Sequence, residues 1–211
     1  MFVRRCWEPR SEEEIYSLIE ENPWALLVNN GEQGPFVTNL PLLLDRSRGG
    51  KGVLVGHLAR ANAHADSIQS LTTPALAIFQ GPYSYITSSW YPVRDMPPTY
   101  YYSAVHCYGG LHIQDERELY RWIEALTERM EAHVANGWKT SEIEESAIAR
   151  RLKAVIGFEM YIDRLEGEFK LGQDEPKKDA LAVASHLAAR GGADEVLLVG
   201  DICKHNSSRR D

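Results

Sequence analysis

Six strand-like segments follow one another between residues 24 and 112, with one short helical stretch among them. They cover residues 24–28, 36–44, 53–58, 75–80, 83–90 and 100–112. Each is rich in apolar, aromatic or β-branched residues and is bounded by turn chemistry. Asn29-Asn30-Gly31 and the polar, glycine-rich run 45–52 read as turns, Gly81-Pro82 as a break, and residues 91–99, with three prolines, as a loop. Residues 61–71 suit a short helix started near Asn62. Parallel pairing needs a crossover of a dozen or more residues, so these strands are expected to pair antiparallel. Closing them into a barrel removes exposed edges.

The period changes on either side of this block. Ser11 with Glu14 reads as a capping box, Ile15, Leu18 and Ile19 as an apolar stripe, and Pro23 as a stop. Leu119, Trp122, Ile123, Leu126, Met130 and Val134 keep the 3.6-residue period over five turns, an amphipathic helix. Ser141 with Glu144 predicts a second capping box and a helix to about residue 153. Phe158, Met160 and Ile162 alternate as a half-buried strand. Residues 170–178 form a polar loop, and Leu181, Ala184, Leu187 and Ala188 mark a helix that stops at Gly191-Gly192. The end, residues 205–211, reads as disordered. Gly109-Gly110 suggests a bulge or bend. The expected architecture is α+β: one domain over residues 1–211, an antiparallel barrel with peripheral helices, the helical additions following about residue 114.

Charge narrows the function classes. Of 211 residues, 23 are Lys or Arg and 30 are Asp or Glu, a formal charge of −7. That argues against a broad basic surface for nucleic acid or anionic lipid. No apolar run approaches the roughly 18 residues of a membrane span, and the opening residues lack a signal-peptide pattern. Cys6, Cys107 and Cys203 are far apart and odd in number, so free thiols and a cytoplasmic location are expected.

Three segments carry candidate chemistry. Gly56-His57-Leu58-Ala59-Arg60-Ala61-Asn62 falls between a strand and a helix, where Arg60, Asn62 and His57 could grip a phosphate. Composition alone favours the plainer reading of the same residues, a helix cap and a surface arginine. Residues 79–91 combine hydroxyls with flat rings and suit either a planar heterocycle or an aromatic strand on a barrel core. His106, Tyr108 and His112 share one strand face, but six residues of unbent strand separate the histidines by roughly 20 Å. No metal site is expected. Acidic residues of the helices lie opposite the apolar stripes and read as solvated faces.

Taken together, the runs GHLARAN (56–62), IFQGPYSYITSSWY (78–91) and AVHCYG (104–109), with NLP (39–41) and FKLGQ (169–173), resemble the PaiB family in the same order. That family comprises FMN-binding negative transcriptional regulators with a split-barrel flavin fold. The resemblance covers most of the chain. It implies an antiparallel split β-barrel of the FMN-binding type, and a homodimer with FMN near the subunit interface. It places the flavin phosphate near His57, Leu58, Arg60 and Asn62, with Thr38 and Asn39 near the ring or ribityl chain. Ser88, Ser89, Trp90, Lys170 and Gln173 are further candidates for lining the site. The chain departs from the family where Asn39 replaces His, Tyr100-Tyr101 replaces Trp-Asn, and Gly172 and Asp174 flank the glutamine in place of Ser and Asn. The alternative activity is a flavin-dependent oxidoreductase of the pyridoxamine-phosphate-oxidase-like type. Direct DNA binding has little support, because the 115–135 helix is rich in acid and Arg150-Arg151-Lys153 is the one compact basic patch.

Overall fold

A computed structural model describes residues 1–31, 34–69 and 74–209. In chain order its elements are α1 (Glu12–Glu21), β1 (Trp24–Gly31), β2 (Gly34–Pro41), β3 (Leu43–Asp45) and β4 (Val53–Ala59). Then come α2 (Ala63–Gln69), β5 (Ala75–Ile86), β6 (Thr99–Ile113), α3 (Glu116–Glu131) and α4 (Glu145–Leu152). The chain finishes with β7 (Val155–Lys170), α5 (Lys177–Arg190) and α6 (Ala193–Asn206). The seven strands hydrogen-bond in the order β2-β1-β5-β6-β7-β4-β3, in an antiparallel sheet of the split-barrel type. Two compact units share the three long strands β5, β6 and β7.

One unit comprises residues 19–78 and 106–165. Its β4 is buried on both faces. Val53 and Val55 pack with Leu119 and Trp122 of α3 and Leu152 of α4, while Leu54 and Leu58 join Leu27, Leu40, Leu42, Phe158 and Met160 in the buried set. Helix α3 begins at Asp115, whose carboxylate accepts from the Glu118 N–H at 2.8 Å while Glu118 reaches back to the Asp115 N–H at 3.0 Å. That reciprocal cap fixes where the amphipathic helix enters.

The other unit comprises residues 1–18, 79–105 and 166–211. Its core gathers Phe79, Ile86, Tyr101, Val105, Leu171, Val183, Leu187, Leu198 and Ile202. The Gly191 stop holds: at φ +70° it takes the left-handed position, and its N–H returns to the Leu187 carbonyl.

Several expectations need correction. The 36–44 segment is two strands, because the Leu42 N–H leaves the ladder for the Pro23 carbonyl at 2.8 Å. Gly81-Pro82 does not break the chain: residues 75–86 are one strand, and a side chain at Gly81 would meet Ser103 Oγ at 2.3 Å. Glycine there serves close packing, not a turn. The strand expected to reach residue 90 stops at Ile86, and Ser88–Trp90 is a single 3₁₀ turn. Strand β6, by contrast, runs through Gly109-Gly110 as the strand expected over residues 100–112, ending at Ile113.

Ser141 does not cap the next helix: it lies in a 3₁₀ turn, Thr140–Glu142, and α4 starts at Glu145 with Glu144 at the N-cap making no side-chain cap bond. The alternating strand around residue 160 grows to sixteen residues as β7. Residues 205 and 206 are not disordered; they end α6 with His205 and Asn206 buried. Leu71, expected at the end of the short helix, and residues 210–211 lie outside the described residues.

Candidate functional site

The turn after β4 is built as tightly as its sequence suggests. The Asn62 N–H closes on the Ala59 carbonyl at 2.9 Å. The Asn62 side-chain oxygen then accepts the His64 N–H at 3.0 Å, capping α2. Its amide nitrogen donates to Thr38 Oγ1 on β2 at 3.4 Å, and the same oxygen lies 2.7 Å from His64 Nδ1. Three side chains from a strand, a turn and a helix therefore meet at one hydroxyl. His64 is 1% exposed and stacks on Phe36 with ring centroids 5.4 Å apart. Burial pushes its pKa down, so the ring is neutral near pH 7. Its Nε2 is buried and has no hydrogen-bond partner among the described residues. Asn39, the next residue on β2, is exposed.

Arg60 is an exposed cation held at its base. Its Nε donates to the Lys153 carbonyl and its Nη2 to the Val155 carbonyl, both at 3.1 Å, while its backbone N–H bonds the Ala154 carbonyl at 2.8 Å. A guanidinium has five N–H donors; two are spent on backbone, leaving three for a ligand. His57 faces elsewhere. Its Nδ1 accepts from Trp122 Nε1 of α3 at 3.1 Å, and burial lowers its pKa. The neutral ring thus carries its proton on Nε2. The Leu58 side chain is buried, so what it offers a ligand is backbone.

The remaining candidates belong to the other unit. Ser88 Oγ donates to the Met96 carbonyl at 2.6 Å, and Ser89 is exposed. Trp90 stacks on His186 of α5, centroids 5.5 Å apart, with the Arg190 guanidinium 5.8 Å from its ring. Lys170 donates to Thr99 Oγ1 at 2.6 Å and sits over the Trp7 ring. Gln173 ties the turn after β7: its oxygen accepts the Leu171 N–H at 2.7 Å, and its nitrogen bonds the Phe169 carbonyl and approaches His205 Nδ1.

The departures from the PaiB pattern have local explanations in the same unit. Asp174 accepts from Arg4 at 3.0 Å and from Trp7 at 3.2 Å, so its charge is answered. Tyr101 is fully buried, and it donates with Tyr91 to the Glu175 carboxylate. Burial raises the Glu175 pKa against the pull of those hydroxyls. Tyr100 is exposed and rests edge-on against Tyr85.

Sequence reasoning missed His64 and Trp122 as partners of the residues around the turn after β4. Trp122 read as one more apolar stripe residue, and His64 follows Asn62 with no motif to mark it. Only the strand pairing brings Thr38 to His64.

The other chemistries find less. A groove of about 620 Å³ is lined by Arg46, Arg48, Arg121, Glu118, Glu159 and Trp122, among others, but by none of the expected residues. Among the described residues no group of three His, Cys, Asp or Glu side chains could hold a metal ion. Cys107 is fully buried, and burial raises its thiol pKa, the opposite of an activated nucleophile. No helix of the described residues is long and apolar enough to cross a membrane.

The turn thus offers a fixed cation, an amide and a hydroxyl beside an exposed strand edge, donors suited to an anionic, oxygen-rich ligand. Comparison with known proteins finds relatives across the chain. The chain is 28% identical to the protease synthase and sporulation protein PAI 2 of Bacillus subtilis (strain 168), over 89% of each. It is 26% identical to an uncharacterised protein of Emericella nidulans, covering 100% of this chain and 99% of that one. In fold it resembles the FAD and heme binding protein of Mycobacterium smegmatis, with TM-score 0.58 and 18% identity over 88% and 80% of the two chains. The flavocytochrome Anf3 of Azotobacter vinelandii gives 0.56, with 14% identity over 81% and 73%. Residues 1–164 match the family described as "Putative FMN-binding domain", and the chain belongs to that family of FMN-binding split-barrel proteins.

Proposed function

We propose that this protein binds FMN at the turn after β4, with Arg60 and Asn62 on the phosphate and Thr38 and Asn39 toward the ribityl chain or ring. The observation that carries the reading is Arg60, anchored by two backbone carbonyls with three N–H donors left over. A guanidinium so fixed loses little freedom on gripping a phosphate. His57 and Leu58 support the turn from β4, His57 with its Nε2–H. Ser88, Trp90, Lys170 and Gln173 hold their own unit together, because each is engaged by a neighbour there. When bound, FMN supplies electron and hydride chemistry. The regulatory role is exercised through the flavin state or a protein partner, since the −7 charge and the acidic first turn of α3 oppose a DNA surface.

Arg60→Ala is expected to weaken FMN roughly tenfold to a hundredfold, as loss of a charge-assisted contact does. Fluorescence titration measures it. Wild-type affinity in that variant would remove Arg60 from the site. NADPH oxidation and salt-dependent DNA binding, measured on the same preparation, separate the roles: turnover without DNA affinity marks the oxidoreductase, and flavin-dependent DNA affinity marks a direct regulator.

The homodimer we propose forms on the β1–β2–β5 face. Strand register places Trp24, Leu26 and Val28 of β1 beside Pro41, Asn39 and Val37 of β2, with Leu76 and Ile78 of β5 on the other side. Trp24 is 65% and Val37 57% exposed. A largely apolar sheet face, interrupted by Asn39 and ending in the edge strand β2, invites a second copy. Light scattering on a gel-filtered sample is expected to give twice the chain mass for wild type and one chain mass for Trp24→Glu. A wild-type monomer at tens of micromolar would rule this interface out.

A further inference from the structure

We propose that His64 is a positioning residue, which fixes the Thr38 hydroxyl as an outward hydrogen-bond donor to an oxygen or nitrogen acceptor of the bound flavin. The inference rests on the FMN-binding reading.

The argument is a count of protons. Neutral imidazole carries one N–H. Nδ1 lies 2.7 Å from Thr38 Oγ1, so one of these two atoms donates to the other. If Thr38 donates, the ring proton sits on Nε2, which is buried and has no acceptor among the described residues. If Nδ1 donates, Nε2 is a bare lone pair. Orphaned buried N–H groups are rarer than under-satisfied acceptors. Phe36 offers no rescue: the rings lie 15° from parallel, and an in-plane N–H does not point at a stacked face. The Nδ1–H form follows.

The consequence falls on Thr38. Its oxygen already receives the Asn62 amide, and with His64 also donating, both lone pairs are occupied. The hydroxyl hydrogen must then leave the cluster. Thr38 is only half-buried on the edge strand β2, so the free hydrogen is available to an acceptor that enters on its own face of the strand. Had Thr38 donated to His64 instead, its hydrogen would be used internally. The two ring forms thus give opposite roles to one hydroxyl. Asn62 sets the ring as well, because its oxygen caps the His64 N–H while its nitrogen holds Thr38.

Two measurements test this, one without flavin. Long-range ¹⁵N–¹H NMR of the apo protein is expected to show His64 protonated on Nδ1. FMN titration then compares Thr38→Val, His64→Phe, His64→Asn and the Thr38→Val/His64→Phe double variant, each checked for wild-type circular dichroism. Thr38→Val and His64→Phe should each weaken FMN about tenfold, as loss of one hydrogen bond does. The double variant should be no worse than Thr38→Val, and His64→Asn, whose amide replaces Nδ1–H, should recover most of the loss. An Nε2–H ring in a wild type that binds FMN overturns the proposal and spares the flavin reading. Additive losses near a hundredfold overturn it too. Failure of the wild type to bind FMN overturns the flavin reading, and with it the ligand assigned to Thr38.

Discussion

Gly109→Ala is expected to cost about 3 kcal/mol or more of unfolding free energy, while Gly110→Ala next to it is close to neutral. A methyl group at 109 would lie 1.9 Å from the Tyr161 carbonyl oxygen and 2.8 Å from its carbon. Those are backbone atoms of the neighbouring strand β7, so no rotamer change relieves the clash. The strands must part by more than 1 Å, weakening their ladder. Overpacking alone costs about 1–3 kcal/mol, and disturbed backbone hydrogen bonds add to it. At 110 the nearest atom to such a methyl is His112 Nε2, 3.9 Å away, at the far end of a side chain. There alanine also removes unfolded-state freedom, which favours folding by a few tenths of a kcal/mol. Urea denaturation at pH 7 checks the pair. Equal midpoints for the two variants would mean that β6 and β7 do not approach closely at residue 109.

The same glycine pair shows what sequence can and cannot convey. Gly109-Gly110 suggested a bulge or bend within the strand; β6 is continuous there, and Gly109 sits against the Tyr161 backbone. A glycine marks either a bend or a close neighbour, and only the neighbour's position separates them. Gly81 repeats the lesson within β5, where Ser103 is the neighbour. Elements that rest on their own periodicity were legible: α3, the block of strands before two helices, and the strand that follows. Helix α6 was not, because ADEVLLVGDICKHN has no clean apolar stripe and carries a central glycine. Its burial comes from partners far along the chain: His205 bonds Glu14, and Asn206 bonds the Leu171 carbonyl.

The candidate site divides on the same physical line. The turn that carries Arg60 and Asn62 was readable because a strand–turn–helix junction is a local object. His64 was invisible because its meaning depends on Thr38, twenty-six residues earlier, reached through the β1–β2 hairpin. Trp90 and Gln173 read as ligand contacts by resemblance, but α5 and α6 supply them with internal partners. Chemistry-bearing residue types do not announce whether their partner is a ligand or the protein.

Glu14→Gln should lower stability by about 3 kcal/mol at pH 7, and the deficit should shrink toward zero near pH 2. Glu14 is 6% exposed, and burial by itself would raise its carboxyl. Hydrogen bonds from His205 Nε2 at 2.8 Å, the Arg10 N–H at 2.8 Å and Lys204 Nζ at 2.9 Å outweigh that, bringing its pKa to about 2. A carboxyl whose folded pKa lies below its ordinary 4.5 contributes stability that is complete above 4.5 and lost as pH falls toward 2. The wild type should therefore lose stability steeply between pH 4.5 and 2. Glutamine has no proton to gain, so the variant begins lower and falls less over that interval. It keeps a hydrogen-bonding amide of the same shape, which confines the change to charge. Urea midpoints at pH 7, 4 and 2.5 for both proteins read out the difference. A deficit that stays constant across the three would trace the loss to packing at α1 and α6, not to the carboxylate's ion pairs. A deficit confined to pH above 4 would show that the buried charge joins the first helix to the last.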